Sequence, residues 1–288
     1  MNDAVKVMLD RYNCRSVDDY ENALKEIVQE VALLGLWRSK FFERAAFYGG
    51  SALRILYGID RFSEDLDFSL LKRDNVFSIE DYCMAVEGEL KSFGFSVVVE
   101  KKEKTSETNI DSAFIKGGTL KNMILVDIPE FVRKRMYSGK GIKIKLEVDT
   151  DPPGDFHTEA KYLLHPMPFS VNAYALPYLF AGKMHAILCR SWGNRVKGRD
   201  WYDLVWYVGR GEAVGLKHLE RRMKQTHHLE SDQSLTEGTL KQMLEKRISS
   251  TDFTQAKKDV EHLLKNPSSL EVWSKDFFSV ITGKIRTV

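Results

Sequence analysis

Residues 47–70 read FYGGSALRILYGIDRFSEDLDFSL, and the rest of the chain is best understood outward from them. Ala45 to Tyr48 form a short apolar run, Gly49-Gly50-Ser51 a tight turn, and Ala52-Leu53-Arg54-Ile55-Leu56 a helix start. Backbone N–H groups at such a turn make an anion site, and glycine permits close approach. Further on, Asp65, Leu66, Asp67 and Phe68 alternate. On a strand, residues i and i+2 share a face, so the two carboxylates project to one side and the apolar pair to the other. Two carboxylates so placed suit a divalent cation. Magnesium takes oxygen ligands, typically one or two protein carboxylates together with substrate phosphates. Alone, a D-x-D is most often a solvated strand end and a Gly-Gly-Ser simply a turn; it is their order on one strand–turn–helix–strand unit that carries information.

The whole composition sets limits. At 288 residues the chain accommodates two modest domains or one large one, and 43% apolar content is that of an ordinary globular protein. Lys+Arg 43 against Asp+Glu 41 leaves a net charge of +2, so any nucleic-acid surface must be local. Cys14, Cys83 and Cys189 show no C-x-x-C spacing, which argues against a disulfide framework and a zinc knuckle. MNDAVKVMLDRYN has neither a signal-peptide core nor a membrane span, and the expectation is a cytoplasmic protein without membrane attachment.

Ser16 with Val17-Asp18-Asp19 reads as a helix N-terminus, and Tyr20, Ala23, Leu24, Ile27, Val28, Val31 and Leu34 continue it at helical spacing. Ser78 is placed as the cap of a helix from Ile79 to about Phe93, ended by Gly94. Phe95 to Glu100 reads as a strand and Glu100 to Glu107 as a hairpin tip. Ser112–Lys116 and Lys121–Val126 read as two short strands separated by Gly117-Gly118. Residues 142–149, IKIKLEVD, alternate between apolar and charged, which places Glu147 and Asp149 on one face before Asp151-Pro152-Pro153-Gly154 stops the strand. Such a face is more often simply solvated. From about residue 171 the texture becomes helical, with Pro177 in a first turn and Leu179, Phe180, Met184, Ile187 and Leu188 as a buried face. The expected division is 1–170 and 171–288.

The order GGSALR, YG, RFSEDLDF resembles the polymerase-beta-like nucleotidyltransferases, and more narrowly the AbiEii/AbiGii and MenT group of toxins from abortive-infection and toxin–antitoxin pairs. The resemblance covers roughly residues 45–70, 142–150 and 177–207. It implies an α+β nucleotidyltransferase fold, a mixed sheet with flanking helices followed by a mainly helical C-terminal domain. KLEVD matches the family's third-carboxylate segment, with Glu147 as first choice and Asp149 as second. Lys183, followed by Arg199-Asp200-Trp201-Tyr202-Asp203-Leu204, matches the later motifs; Gly182 stands where many relatives carry Glu. By this resemblance, Asp65 and Asp67, with Glu147 or Asp149, hold magnesium, and Gly49, Gly50 and Ser51 cradle phosphates. Lys183 supplies charge to a nucleoside triphosphate, and Asp200 orients Lys183 or an acceptor or acts as a base.

The implied partners are a nucleoside triphosphate, an RNA acceptor at the 3′ end of a tRNA, and a cognate antitoxin. Candidate backbone contacts are Arg54, Arg190 and Arg199 and the stretches Arg133-Lys134-Arg135, Arg195-Val196-Lys197-Gly198-Arg199 and Arg221-Arg222-Met223-Lys224. Protein nucleotidylation or phosphorylation is the alternative enzyme, and a nucleotide-binding regulator without turnover the alternative class; the retained carboxylates disfavour the latter. There is no G-x-x-x-x-G-K-[ST] and no H-E-x-x-H, and His227-His228 reads as an exposed pair and not a metal site.

Overall fold

The computed structural model describes residues 3–102, 109–118, 141–190 and 196–288, which fall into two compact units. The first comprises Met1–Gly58, Phe62–Pro152 and Glu159–Ala173; the second comprises Ile59–Arg61, Pro153–Thr158 and Tyr174–Val288.

In the first unit, α1 (Asp3–Asp10) and α2 (Val17–Arg38) precede β1 (Ala45–Tyr48), α3 (Gly49–Tyr57) and β2 (Leu66–Leu70). There follow α4 (Glu80–Ser92), β3 (Val97–Lys101), β4 (Ile110–Gly118), β5 (Gly141–Asp149), β6 (Thr158–Leu163) and β7 (Phe169–Tyr174). The strands form one mixed sheet in the order β3-β4-β5-β2-β1-β7-β6. β2 is central, antiparallel to β1 and parallel to β5. Leu66 and Phe68 point into an aromatic core in which Phe68 meets Phe41 at 4.9 Å and Phe47 at 5.3 Å between ring centroids. That leaves Asp67 on the opposite face, as the alternation requires.

α2 starts where expected: Ser16 and Asp19 form a reciprocal capping box, which satisfies two otherwise orphaned N–H groups. The helix is more enclosed than a single apolar stripe predicts. Almost every residue from Ala23 to Leu36 is buried, including Glu26, Gln29 and Glu30. The acids are paired: Glu26 with Arg54 at 2.8 Å and Glu30 with Arg11 at 2.7 Å. Ser78 Oγ does accept from Glu80 N at 3.3 Å, but the buried Asp111 carboxylate on β4 also accepts from Ile79 N at 2.8 Å.

One expectation fails here. Gly117 and Gly118 are not a break between strands; they belong to β4, paired with Ile142 and Gly141 of β5. A glycine inside a ladder keeps both backbone hydrogen-bonding groups, so the long pairing overrides its turn preference. The hairpin tip expected over Glu100 to Glu107 starts later, since Glu100 and Lys101 belong to β3; its remainder from 103, the expected strand 121–126 and Arg133-Lys134-Arg135 lie outside the described residues.

The second unit is mainly helical: α5 (Leu176–Cys189), α6 (Gly198–Gly209), α7 (Leu216–Gln225), α8 (Glu237–Ser250), α9 (Phe253–Glu261) and α10 (Lys275–Gly283). A two-stranded parallel sheet, β8 (Ala213–Val214) with β9 (Arg286–Thr287), ties the C-terminus back. Pro177 occupies the first turn of α5, where its missing N–H costs nothing. Trp201, Phe253 and Phe278 form the aromatic centre, with centroids 4.4–5.0 Å apart. Among the described residues no helix is long and apolar enough to cross a membrane.

Candidate active site

Each unit carries one group of the residues selected from sequence. In the first, β1 runs into α3 at Gly49, whose φ is +80°. The backbone there passes so close to β2 that a Cβ on Gly49 would stand 2.5 Å from Asp67 Oδ2. Only glycine meets both conditions. The N-cap residue Tyr48 makes no side-chain cap, so the first-turn N–H groups of α3 are not capped by it. Ser51 is buried and its hydroxyl donates to the Asp65 carbonyl oxygen, tying the helix to the residue just before β2. The family resemblance places Ser51 in a phosphate cradle; in this structure its hydroxyl is bonded to backbone.

Register arranges the carboxylates. Asp67 is directly opposite Glu147 on β5, while Asp149 is opposite Ser69, one pair further along the same face. Glu147 is about a third exposed, Asp149 only 3%. Asp149 Oδ1 accepts from Asp151 N at 3.0 Å, which shapes the turn that ends β5. Lys145, two residues before Glu147 on that face, places Nζ 2.5 Å from Glu147 Oε1 and donates its backbone N–H to Asp65 Oδ1 at 3.3 Å. The four carboxylates do not converge as a closed three-ligand group among the described residues. Their chemistry nevertheless suits a hard divalent cation, since the donors are all oxygen and Glu147 already holds an ammonium. The start of α3 lies directly against the Asp67 carboxylate, so the helix N-terminus and the acidic pair share one place.

In the second unit Lys183 is not an exposed lysine. Its Nζ lies 2.6 Å from Asp200 Oδ1 and 2.7 Å from Asp203 Oδ2, and its side chain is 12% exposed. Asp200 and Asp203 are three apart on α6, hence on one face. Asp203, wholly buried, also accepts from Arg61 Nε at 2.5 Å and Nη2 at 2.6 Å. Burial pushes the Asp203 carboxyl up, but Arg61 and Lys183 outweigh it and hold it below the ordinary range. Two acids and two bases thus form a neutral buried quartet. Arg61 opens the RFSEDLDF stretch and Asp203 lies in the R-D-x-Y-D run, both quoted from sequence, but neither was given a role in the site there. The i, i+3 aspartates on one helix are a signal for Asp203; no local pattern pairs Arg61 with it. Gly198, at the start of α6, lies against the Ala256 carbonyl with no room for a Cβ.

Two of the proposed basic contacts have other employment. Arg54 is 13% exposed, bound to Glu26 and stacked over Phe62 at 4.6 Å, so it belongs to the core and not to a binding surface. On α7, Arg221 pairs with Asp155 and Lys224 with Glu220 at 2.9 Å. Arg190 is exposed and Arg199 half-buried.

The strand–glycine turn–helix–strand unit with its opposed acidic pair is the arrangement of a nucleotidyltransferase. The profile of the family described as nucleotidyl transferase AbiEii toxin, type IV toxin–antitoxin system, matches residues 31–277, and the chain belongs to that family. It is therefore a nucleotidyltransferase toxin by family, a class whose members work on a nucleotide substrate, generally with a divalent metal, and are paired with an antitoxin. No curated protein sequence matches the chain. Two similar crystal structures are JHP933 from Helicobacter pylori and a nucleotidyltransferase from H. pylori titled putative, each 18% identical. The first covers 90% of this chain and 87% of its own at TM-score 0.45; the second covers 90% of each at 0.43. These values are too low for either to bear on the site.

Proposed function

We propose that the chain transfers a nucleoside monophosphate from a nucleoside triphosphate to the 3′ end of a tRNA, with magnesium held by Asp65, Asp67 and Glu147. The observation that supports this most is the direct opposition of Asp67 and Glu147 beside the Gly49 turn. Magnesium, when bound, neutralises triphosphate charge and lowers the pKa of the attacking hydroxyl. The chain's own part is positioning. The backbone N–H groups of Gly49 and Gly50 receive phosphate oxygens at the start of α3, and Gly49 keeps that path open against Asp67. Glu147 is preferred to Asp149 because it is the strand neighbour of Asp67 and is less buried. Lys183 is assigned to the triphosphate on the family resemblance, with Asp200 and Asp203 orienting its ammonium.

The test is incubation with each labelled nucleoside triphosphate, magnesium and total RNA, with and without chelator, followed by sizing of the product. Label in the tRNA band that depends on magnesium supports the proposal; label only in protein moves the acceptor to a polypeptide hydroxyl. No incorporation with any triphosphate overturns it. The toxic role has its own readout. Expression without antitoxin is expected to arrest growth, and Asp65→Ala to relieve the arrest at equal soluble expression. A folded Asp65→Ala chain that remains fully inhibitory would favour a binding regulator.

A further inference from the structure

The second unit contains a cluster that the nucleotidyltransferase reading leaves unused. His185 and Cys189 are one turn apart on α5, both buried and on one face. Across from them, α7 ends in a Schellman closure: His227 N donates to the Lys224 carbonyl at 3.1 Å and His228 N to the Met223 carbonyl at 2.8 Å. The left-handed position of that closure, usually glycine, is His227 with φ +59°. The turn sets His228 against α5, its ring centroid 6.0 Å from that of His185. Both imidazoles point at one atom, Thr226 Oγ1, which is 2.9 Å from His185 Nε2 and 3.0 Å from His228 Nδ1. The ligand-capable atoms of His185, Cys189 and His228 all lie within 4.8 Å of one another, the one such three-residue group among the described residues.

We propose that His185, Cys189 and His228 hold a zinc-class divalent metal, with water as the fourth ligand, that staples α5 to the end of α7. Two imidazoles and a thiolate are borderline-soft donors, which select zinc or cobalt and not magnesium, so this site is chemically distinct from the carboxylates of the first unit. Tetrahedral zinc holds such donors roughly 3.5 Å apart, so the observed spacing closes with a contraction of about 1 Å. His228 is exposed, and its ring would exchange the contact with Thr226 Oγ1 for the metal. Burial pushes the Cys189 thiol up to about 11, against the pull of Arg247, so a metal bound there must displace the thiol proton. Because Lys183 precedes His185 by two residues on α5, the metal would brace the helix that carries it.

The sequence did not suggest this site, since its three ligands have no zinc-knuckle spacing and His227-His228 read as an exposed pair. The test uses the full chain stripped of metal and titrated with Co(II) alone. One equivalent is expected to bind with a thiolate-to-cobalt charge-transfer band that zinc removes. Cys189→Ser is expected to abolish the band, and Cys83→Ser to keep it. His228→Ala, at an exposed position that does not threaten folding, is expected to weaken binding by roughly tenfold or more. Absence of the band in the wild-type chain, or an unchanged affinity in folded His228→Ala, overturns the proposal.

Discussion

Asp67 on β2 and Glu147 on β5 are direct partners in a parallel pair, whereas Asp149 faces Ser69. Parallel neighbours on one face are close enough to share a cation, and a residue one pair along is not in the same position. Glu147→Gln is therefore expected to lower transfer by roughly a hundredfold or more with little change in thermal unfolding. Asp149→Asn is expected to keep most of the activity while loosening the turn at Asp151. Equal losses in both variants, at equal stability, would show that the register does not choose the ligand.

Gly49→Ala meets two obstacles, a φ of +80° and a clash with the Asp67 carboxylate. The backbone conformation alone costs about 1 kcal/mol or more. The expected result is a folded, modestly destabilised protein with severely reduced turnover, measured by nucleotide incorporation alongside thermal unfolding. Wild-type turnover would mean that the turn tolerates a side chain and that the close approach is not needed.

Lys183→Ala and Lys183→Met are expected to lose transfer alike, because the lost quantity is charge and not stem packing. The buried quartet adds a stability consequence that ranks the variants. Asp203→Asn leaves Arg61 buried without its countercharge and is expected to cost about 3–5 kcal/mol. Lys183→Met still leaves Arg61 on Asp203 and is expected to cost less. Chemical denaturation of the two variants gives the order directly; the opposite ranking would assign the central role in the quartet to Lys183.

Glu30, buried in α2 beside Arg11, is pushed up to about 7 by burial, against the pull of Arg11. An acid whose folded pKa exceeds its unfolded value of 4.5 binds its proton more tightly when folded. Its contribution to stability is present at low pH and is lost as pH rises from about 4.5 through about 7. The full effect is at most roughly 3 kcal/mol. Glu30→Gln, which keeps an acceptor for Arg11, is expected to flatten that slope and to be relatively more stable at pH 8. Unfolding free energies at several pH values check both the sign and the window.

Local chemistry was legible in the chain itself. The period-2 alternation over Leu66–Phe68 and along residues 142–149, the capping box at Ser16 and the glycine turn before α3 each depend on neighbours a few residues away, and each stands where the pattern puts it, while Asp65 falls just before β2 and not on it. Gly117-Gly118 misled because a ladder with β5 outweighed a local turn preference. What the tertiary structure alone decided are the pairings between distant residues. Register placed Glu147 and not Asp149 beside Asp67, 80 positions earlier in the chain; packing took Arg54 into the core against Glu26; Arg61 met Asp203 across 142 residues; and a helix end carried His228 to α5. A buried charge must find an opposite charge, and which one it finds is set by how the elements pack, a property that no window of sequence contains.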